Sequence, residues 1–501
     1  MSAGRGRSHP ACARRRVRIA DAEHAAAPRG AGPRGEERVR PRLTAAIALG
    51  KATATLSRAL GWGGGTTVPG RVARVVEPNV VALLSARLRL GSVVVAGTNG
   101  KTTTAHLLAH IMRARGRSPV HNRAGANLAA GIASALVAHA DVLGRPRGDL
   151  GIFEVDEATV PRVVPAIAPR TAVFLNLFRD QLDRYGEIDA IAGLWRSGGA
   201  GWARDLGVVA NADDPLVADA VRDLPGRLVP FGIEDERHGR PALEHTAEAR
   251  YCYRCGTAYV YTVTYFGHMG RWRCPGCGAA RPEPEFTACD LAPLAPDGSE
   301  FAIRERETGG VARVRTVLPG LYNVYNVLAA VAAARSLGVP LDAAAAAVAS
   351  FAPAFGRAER VLVDGREVRL LLVKNPAGFN EVLRVVLSEG PLPVVLIAIN
   401  DRTADGRDVS WLWDVDAEML VGRATRAVVT GLRAGDMALR LHYAGLPRDA
   451  IEVEPAYDHA LRRALDLAAG GRLYVLPTYT AMLALRAVLQ RWGVVRGFWE
   501  T

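Results

Sequence analysis

Short apolar runs alternate with longer amphipathic stretches from about residue 91 onward. The run SVVVAG begins at Ser92 and is followed by the helical pattern TTTAHLLAHIMRARG. Three further apolar runs, LGIFEVDE, TAVFLNL and LGVVANADDP, come later, and each ends in polar residues. Runs of this length are typical of buried strands, and their alternation with helices predicts an α/β fold with a parallel, doubly wound sheet.

Polar side chains stand where these predicted strands end. They are Glu154, Asp156, Asn176, Asn211 and Asp213. Ligands of doubly wound sheets bind beyond the carboxyl ends of the strands. The pattern therefore predicts that these polar groups surround a ligand site.

The alternation stops between residues 232 and 317, where charged, aromatic and cysteine residues predict a β-rich insertion. Helix resumes at PGLYNVYNVLAAVAAARSLG, and a second βα series from residue 361 predicts a smaller, Rossmann-like α/β domain. Before the first strand, helices are expected on both sides of the turn GWGGGTTVPG. We expect a disordered Arg-rich tail, a central domain, a four-cysteine insertion within it, and a linker with the C-terminal domain. Their predicted bounds are 1–45, 46–338, 240–290 and 339–501.

Composition changes this picture only slightly. A chain of 501 residues is too long for a single core, and no apolar run reaches the length of a membrane span. No signal peptide is visible, so a cytoplasmic protein is expected. The net charge of +13 is typical of nucleic-acid binders. However, many positive charges lie in the Arg-rich tail, and the near-absence of lysine indicates a GC-rich genome, so we expect no nucleic-acid partner.

The segment GTNGKTTT, Gly97 to Thr104, lies between the first predicted strand and a helix. Backbone N–H groups and a helix N-terminus bind phosphate oxygens, Lys101 neutralises their charge, and Thr102 can hold Mg²⁺. The usual phosphate loop has a glycine where this chain has Val95, so the loop is shorter than usual. An ordinary strand–turn–helix is the alternative, but strand, Gly-Lys-Thr and helix occur in the functional order.

Two further features point to metal chemistry. The strand end FEVDE offers Glu154 or Glu157 as a hard oxygen ligand for Mg²⁺, although a solvated strand end has the same composition. The pairs Cys252/Cys255 and Cys274/Cys277 are separated by 18 residues, a spacing that predicts one structural Zn²⁺ site with four thiolate ligands. Two disulfides or a redox pair are the alternatives, which a cytosolic setting disfavours.

Two C-terminal segments also contain candidate residues. Lys374, in LLLVKNPAG, is one of three lysines in a chain that otherwise uses arginine, which makes it a candidate for chemistry. The segment NDRTADGRDVSWLWD, residues 400–414, has several aspartates and two tryptophans after an apolar run. Composition alone favours a loop with capping aspartates over an interaction surface.

These motifs together resemble the Mur ligase family. GTNGKTTT, Glu154, NADDP at 211–215 and GLYNVYNVLAA at 320–330 resemble its central ATPase domain, and FGRAERV at 355–361 resembles its Arg-bearing linker. The GGGTTVPG segment, the four cysteines, VKNPAGFNE and DGRDVSWLWD resemble one branch, MurT, the synthetase subunits of lipid II isoglutaminyl synthase. The resemblance covers roughly residues 45–495.

The resemblance implies that ATP phosphorylates the α-carboxylate of D-glutamate in the lipid II stem peptide, and that ammonia then displaces the phosphate to give D-isoglutamine. A glutaminase partner, GatD, is expected to supply the ammonia, and the enzyme is expected to act at the inner membrane face. Implied cofactors are ATP, Mg²⁺ on Thr102 and Glu154, and the structural Zn²⁺. The implied nucleotide-binding residues are Gly97, Thr98, Asn99, Gly100, Lys101, Thr102, Thr103, Asp213 (or Asp214), Asn323 and Asn326. The implied catalytic residues are Lys101, Glu154, Arg357, Lys374 and Asp408.

In this branch an aspartate of the DGRDVSW stretch completes a triad with the partner's Cys and His. Asp408 is the first candidate and Asp405 the second. A stand-alone ligase of the Mur or folylpolyglutamate type, adding an amino acid, is the alternative function. The chain also departs from the usual Mur pattern, with Gln181 and Lys374 at positions where His is common and no UDP-binding N-terminal domain. The lack of the UDP-binding domain favours a lipid-linked substrate.

Overall fold

The structure is a computed structural model of the chain. It describes residues 40–59, 67–122, 126–180, 188–199, 202–244, 247–353, 357–468 and 471–495. Apart from Arg40, these residues belong to one compact unit that begins at Pro41. Most of the predicted Arg-rich tail, part of the GWGGGTTVPG turn and Gln181 lie outside the described residues. The first helix begins at Pro41, inside the range predicted for the tail.

A nine-stranded sheet forms the first part of the unit. The strands before residue 317 are β1 Ser92–Ala96, β2 Pro119–His121, β3 Leu150–Val155, β4 Thr171–Phe174, β5 Gly207–Asn211, β6 Arg227–Ile233, β7 Val260–Phe266, β8 Met269–Arg273, β9 Phe286–Cys289, β10 Ser299–Glu305 and β11 Val311–Thr316. The order in the large sheet is β11-β10-β9-β6-β5-β4-β1-β3-β2. Strands β1 to β6 and β9 are parallel, which confirms the predicted sheet, while β10 runs antiparallel to both of its neighbours, β9 and β11.

Residues 232–317, predicted as one β-rich insertion, contribute to two separate sheets. Only β7 and β8 form a separate antiparallel hairpin, whereas β9, β10 and β11 extend the large sheet. The reason is that β9 pairs with β6 and so continues the hydrogen-bond ladder of the parallel strands. Pairing of this kind joins residues distant in sequence, and local composition contains no signal for it.

Helices cover both faces of the large sheet. They are α1 Pro41–Ala59, α2 Val68–Val76, α3 Val80–Ser85, α4 Lys101–Ala114, α5 Ala129–Ala138, α6 Val160–Ile167, α7 Ile188–Gly198, α8 Pro215–Val221, α9 Leu321–Ser336 and α10 Leu341–Ala349. Alternate residues of β1 point to opposite faces: Val93 and Val95 pack into one apolar core, and Val94 and Ala96 into the other. A strand buried on both faces has no polar side, which explains its continuous apolar run.

A second, six-stranded sheet follows. Its strands are β12 Arg357–Val363, β13 Arg366–Leu371, β14 Leu392–Ala398, β15 Ala424–Thr430, β16 Ile451–Val453 and β17 Leu473–Pro477, in the order β12-β13-β17-β14-β15-β16. All neighbours are parallel except β12 and β13. Its helices are α11 Pro376–Val386, α12 Ala434–Ala444, α13 Tyr457–Leu467 and α14 Tyr479–Arg491. Among the described residues, no helix combines the length and the apolar character that crossing a bilayer requires.

Candidate active site and zinc site

The phosphate-loop segment joins β1 to α4 through two glycines with positive φ. Gly97 has φ 141° and Gly100 has φ 87°. A Cβ atom on Gly97 would lie 2.8 Å from the Leu175 side chain, and one on Gly100 would lie 2.0 Å from Asn326 Oδ1. Both positions therefore require glycine for conformation and for space. Val95 lies within β1, so the strand continues to where a longer phosphate loop would already have begun.

Lys101 is the first residue of α4, and its ammonium group points back into the loop. The Nζ atom donates to the carbonyl oxygens of Gly97, at 2.6 Å, and Thr98, at 3.2 Å, and to Glu157 Oε1 at 3.1 Å. Lys101 and Glu157 are both buried, so this ion pair is held in a largely desolvated place. The positive charge therefore stands at the centre of the backbone cradle, where a bound phosphate requires it.

Glu154 lies on β3, directly beside Val95 of β1. It is 2% exposed, and its Oε2 atom has no hydrogen-bond partner among the described residues. Its backbone is held by Asn122, whose amide accepts from Glu154 N at 3.0 Å and donates to Glu154 O at 2.9 Å. A buried carboxylate oxygen without a partner is costly, and a hard cation such as Mg²⁺ satisfies it. Glu154 therefore fits a predicted Mg²⁺ ligand, whereas Glu157 is engaged by Lys101.

The loop is held from below by the chain that follows β4. Asn176 accepts from Asn99 N at 2.8 Å through its side chain and from Thr98 N at 2.9 Å through its carbonyl. The Thr98 hydroxyl accepts from Phe178 N at 3.0 Å and donates to Phe178 O at 3.1 Å. Sequence reasoning placed Asn176 at this edge but missed Phe178, because a phenylalanine that acts through its backbone has no polar signature.

Two asparagines of α9 also reach the loop. Asn326 lies against Gly100, and its Oδ1 atom accepts from Thr104 Oγ1 at 3.4 Å. Asn326 in turn donates to Asn323, whose own amide donates to the carbonyl of Pro319. Asn326 therefore lies beside the start of α4, and Asn323 supports it from the preceding turn of α9.

Asp213 and Asp214 differ from their prediction as nucleotide contacts. Asp213 is fully buried and accepts from Ile233 N at 2.9 Å, Tyr325 OH at 2.6 Å and Arg281 Nε at 2.6 Å. Asp214, also fully buried, caps the start of α8. Both carboxylates thus accept hydrogen bonds from other groups of the protein. Neither is accessible to a ligand, because both lie under the β7–β8 hairpin rather than at the open edge of the sheet.

The second sheet brings Lys374 and Asn375 to the same loop. Lys374 forms an ion pair with Asp180. Asn375 caps α11 by accepting from Gly378 N at 2.9 Å, and its amide donates to Asn99 Oδ1 at 3.0 Å. The structure thus places the retained lysine near the phosphate loop. Arg357 begins β12, and its side chain lies outside the described part of the chain.

The four predicted cysteines come together. Their sulfur atoms all lie within 4.8 Å of one another, with Cys252 and Cys277 at 3.5 Å and Cys255 and Cys274 at 3.4 Å. These separations exceed a disulfide bond and approach the distance of about 3.8 Å between thiolates on one tetrahedral zinc ion. Hydrogen bonds from Thr257 lower the pKa of Cys255 to about 6, whereas the pKa of Cys277 is raised to about 11, so the fit to zinc rests on the positions of the four sulfur atoms. The four residues therefore fit structural Zn²⁺ and leave no open coordination position.

Substituting Cys274 by serine is expected to lower the zinc content from about one ion per chain to about none, because three thiolates bind zinc far more weakly than four. The hairpin should then lose protection from proteolysis. Metal analysis of the purified chain and limited proteolysis would measure both effects. Cys289→Ser is the matched control, since Cys289 is buried in β9 outside the cluster and should keep its zinc. A fully zinc-loaded Cys274→Ser chain would contradict the assignment.

The two aspartates considered for the partner's triad have different surroundings. Asp405 is 6% exposed, accepts from Thr480 N at 2.7 Å and also accepts from the Thr480 hydroxyl, so it holds the first turn of α14. Asp408 is exposed; Ser410 donates to it through its side chain and through its backbone N–H, at 2.8 Å. That backbone hydrogen bond holds the pKa of Asp408 below its usual range. Asp408 is therefore an accessible, ionised carboxylate, whereas Asp405 is engaged within the fold.

Two protein-family models match the chain. The Mur ligase middle domain matches residues 95–267, and the MurT ligase C-terminal domain matches residues 372–482. Solved structures of Mur-type ligases share the fold. A pseudomurein peptide ligase type C from Methanothermus fervidus gives a TM-score of 0.61 at 20% identity, over 82% of this chain and 80% of that chain. MurF ligase from Thermotoga maritima in complex with ADP gives 0.58 at 13% identity, over 84% of each chain.

Curated relatives match at higher identity. Subunit MurT of the glutamine-hydrolysing lipid II isoglutaminyl synthase from Staphylococcus aureus (strain N315) is 32% identical over 89% of this chain and 97% of its own length. The MurT subunit from Streptococcus pneumoniae (strain ATCC BAA-255 / R6) is 31% identical over 87% of this chain and 94% of its own. The predicted fold and family are therefore confirmed: the chain belongs to the MurT family of Mur ligases, and it is a ligase of peptidoglycan synthesis.

Proposed function

We propose that the chain is the synthetase subunit of a lipid II isoglutaminyl synthase, which amidates the α-carboxylate of D-glutamate in the lipid II stem peptide at the expense of ATP. The observation that carries the proposal is that one chain, similar to MurT subunits over nearly nine-tenths of its length, combines a phosphate loop with an exposed carboxylate on a separate sheet. The phosphate loop would activate the acceptor carboxylate with ATP, and the exposed carboxylate would serve the glutaminase subunit.

The phosphate loop supports the activation step. Backbone N–H groups at the start of α4 and the Lys101 ammonium bind the phosphates of ATP, and Glu154 with Thr102 holds Mg²⁺. An oxygen of the acceptor carboxylate forms a bond to the γ-phosphorus while the bond to the β-phosphate oxygen breaks. Ammonia then attacks the carbonyl carbon of the acyl phosphate, and inorganic phosphate leaves with the electrons of the broken C–O bond.

The Asp408 loop supports the delivery of ammonia by a second subunit. A glutaminase of the GatD type uses a Cys nucleophile and a His base, and a carboxylate that accepts from the His fixes its tautomer. Asp408 is exposed, ionised and followed by the turn Ser410–Asp414, in which Trp413 is 51% exposed and contacts Tyr443 at 5.8 Å between ring centroids. An exposed aromatic pair beside an exposed carboxylate is typical of a protein interface. Glutaminase activity would then depend on assembly.

The substrate gives the proposed place of action. Lipid II carries its stem peptide on a membrane-bound lipid, so we propose that the enzyme works in the cytoplasm against the inner membrane face. The alternative function, a ligase that adds an amino acid, has less support, because the curated relatives are MurT subunits and folylpolyglutamate synthase of Mycobacterium tuberculosis, at 16% identity, shares the fold alone. The two functions differ in the nucleophile: ammonia in the first and an amino group of an amino acid in the second.

A reconstitution assay tests the proposal. Purified chain, a GatD-type glutaminase, lipid II, ATP, Mg²⁺ and glutamine should give amidated lipid II, measured by mass spectrometry as a loss of about 1 Da per stem peptide. Omitting ATP should abolish the product, and ammonium chloride should replace both glutamine and glutaminase. The proposal fails if lipid II stays unamidated in the complete mixture, and an amino acid incorporated instead of ammonia would support the alternative.

A further inference from the structure

The hairpin of β7 and β8 connects the zinc site to the chain below the phosphate loop. Its two strands meet the cysteine pairs at one end, since β8 ends at Arg273, immediately before Cys274. The tip at the other end is the turn formed by Gly267 and His268. Along its length the hairpin is tied to the end of β5, because Trp272 Nε1 donates to Ala212 O at 3.0 Å and Gly270 N donates to Asp213 O at 2.9 Å.

The tip packs tightly against Phe178. The ring centroids of Phe178 and His268 are 4.6 Å apart, and those of Phe178 and Phe266 are 4.9 Å apart. Gly267 has φ 56°, and a Cβ atom added there would lie 2.6 Å from Phe178 Cε1. Glycine is therefore required at the tip because of the phenylalanine as well as the backbone conformation.

Buried acidic groups fix both the tip and the Phe178 segment. Gly267 N donates to Glu244 Oε1 at 3.1 Å, and His268 Nε2 lies 3.4 Å from Asp214 Oδ1. Asp214 also accepts from Leu177 N at 2.8 Å, next to Phe178. His268 and Asp214 are fully buried, so neither can contact a substrate directly. Asp214 thus joins the hairpin tip to the residue that precedes Phe178.

The backbone of Phe178 carries this arrangement to the phosphate loop. Its N–H and C=O groups both bond the Thr98 hydroxyl, and the Thr98 carbonyl accepts a hydrogen bond from Lys101 Nζ. A movement of the Phe178 ring that shifts its backbone therefore also displaces Thr98, the second residue of the phosphate loop. Misplacement of a binding group by about 1 Å has large effects on affinity and rate.

We infer that the β7–β8 hairpin is a positioning element of the nucleotide site: its tip, Gly267 and His268, holds Phe178, and Phe178 holds Thr98 of the phosphate loop. The zinc site then stabilises one end of the hairpin, and the tip at the other end fixes the geometry of the phosphate loop. This inference rests on the proposed nucleotide site and assigns the insertion a role in it. Gly267 and His268 are positioning residues, since they act through Phe178.

Two glycine variants test the inference with the same backbone penalty. Gly267→Ala places a Cβ atom within contact range of Phe178 and should displace its ring by roughly 1 Å. Gly309 is the matched control: it also lies in a hairpin turn, has φ 69°, and an added Cβ atom meets nothing within 4 Å. Calorimetric titration of the full-length, zinc-loaded chain with ADP and Mg²⁺ should give a Kd raised about tenfold in Gly267→Ala and unchanged in Gly309→Ala.

A second variant keeps the test decisive if Gly267→Ala fails to fold or loses zinc. His268→Asn removes the ring contact with Phe178 and should raise the Kd for ADP about threefold or more with zinc retained. In ammonia-driven amidation, the KM for ATP should rise while the KM for lipid II stays unchanged, a split that simple loss of folded protein would not produce.

The outcomes separate the two proposals. Equal ADP affinity in wild type, Gly267→Ala and Gly309→Ala, or unchanged affinity in a folded His268→Asn chain, would overturn the positioning role alone. A wild-type chain that binds no ADP would overturn the nucleotide site and the positioning role with it. A Kd raised in both Gly267→Ala and His268→Asn, or in His268→Asn alone where Gly267→Ala does not fold, but not in Gly309→Ala, would establish the hairpin tip as part of the nucleotide site.

Discussion

Replacing Lys101 by alanine is expected to abolish ATP-dependent amidation while the partner's glutaminase activity survives. The Lys101 ammonium lies inside the backbone cradle, within 3.2 Å of two loop carbonyls and of Glu157. Its loss removes a positive charge from the phosphate site and leaves the buried Glu157 carboxylate without its cation, so that this carboxylate would repel the phosphates. Loss of such a preorganised group costs about 100-fold or more in kcat. The loss would be measured as the rate of amidation with ammonium chloride as the nitrogen source.

Lys51→Ala is the matched control for this experiment. Lys51 lies on α1 and donates to the carbonyl of Ala140, away from the phosphate loop, so the same change of residue type there should leave amidation within about twofold. Lys101→Arg should not rescue the activity, because a planar guanidinium does not replace a compact ammonium in this cradle. Full activity in Lys101→Ala would show that the phosphates are bound elsewhere.

Substituting Asp408 by asparagine is expected to abolish the use of glutamine while ATP-dependent amidation from ammonia survives, the opposite of the Lys101→Ala result. Glutamine-driven amidation should fall about 100-fold or more, because an amide does not stabilise the protonated His of the glutaminase or hold its tautomer. Amidation from ammonium chloride should remain within about twofold of wild type, since the phosphate loop is untouched. The ratio of the two rates, measured on the same preparation of the complex, is the informative quantity.

Two neighbouring aspartates provide controls. Asp414→Asn changes another exposed carboxylate of the same segment and should alter neither rate. Asp405→Asn should instead lower the melting temperature, because Asp405 accepts from both the backbone and the hydroxyl of Thr480 at the start of α14. Glutamine-driven activity that survives Asp408→Asn would remove Asp408 from the triad.

The high arginine content has a structural explanation within the described residues. Arg281 pairs with Asp213 and Glu234 under the hairpin, and Arg335 pairs with Glu305 on the antiparallel edge of the large sheet. Arg369 of the second sheet, 2% exposed, pairs with Asp297 of the chain between β9 and β10. These arginines join segments of the fold, so a count of positive charges overstates the charge available to an anionic partner.

The order of strands and helices could be predicted because it depends on local patterns. A strand buried on both faces must be apolar throughout, and β1, β3, β4 and β5 were identified for that reason. Strands β12 and β16 were missed: β12 is an edge strand with charged residues, and β16 has only three residues. Edge strands need no continuous apolar run, so periodicity does not reveal them.

The sequence by itself determined the chemistry available to this protein. The glycines of the phosphate loop, Lys101 and the four cysteines were identified from residue type and spacing, because these groups act through short-range geometry, whereas residue type alone left Glu154 and Glu157 as equal candidates. Only the tertiary structure decided which of several equivalent residues is accessible. It buried Asp213 under the hairpin, paired Glu157 with Lys101, engaged Asp405 with Thr480 and left Asp408 exposed. Burial and pairing depend on contacts between distant segments, and no single segment of sequence contains them.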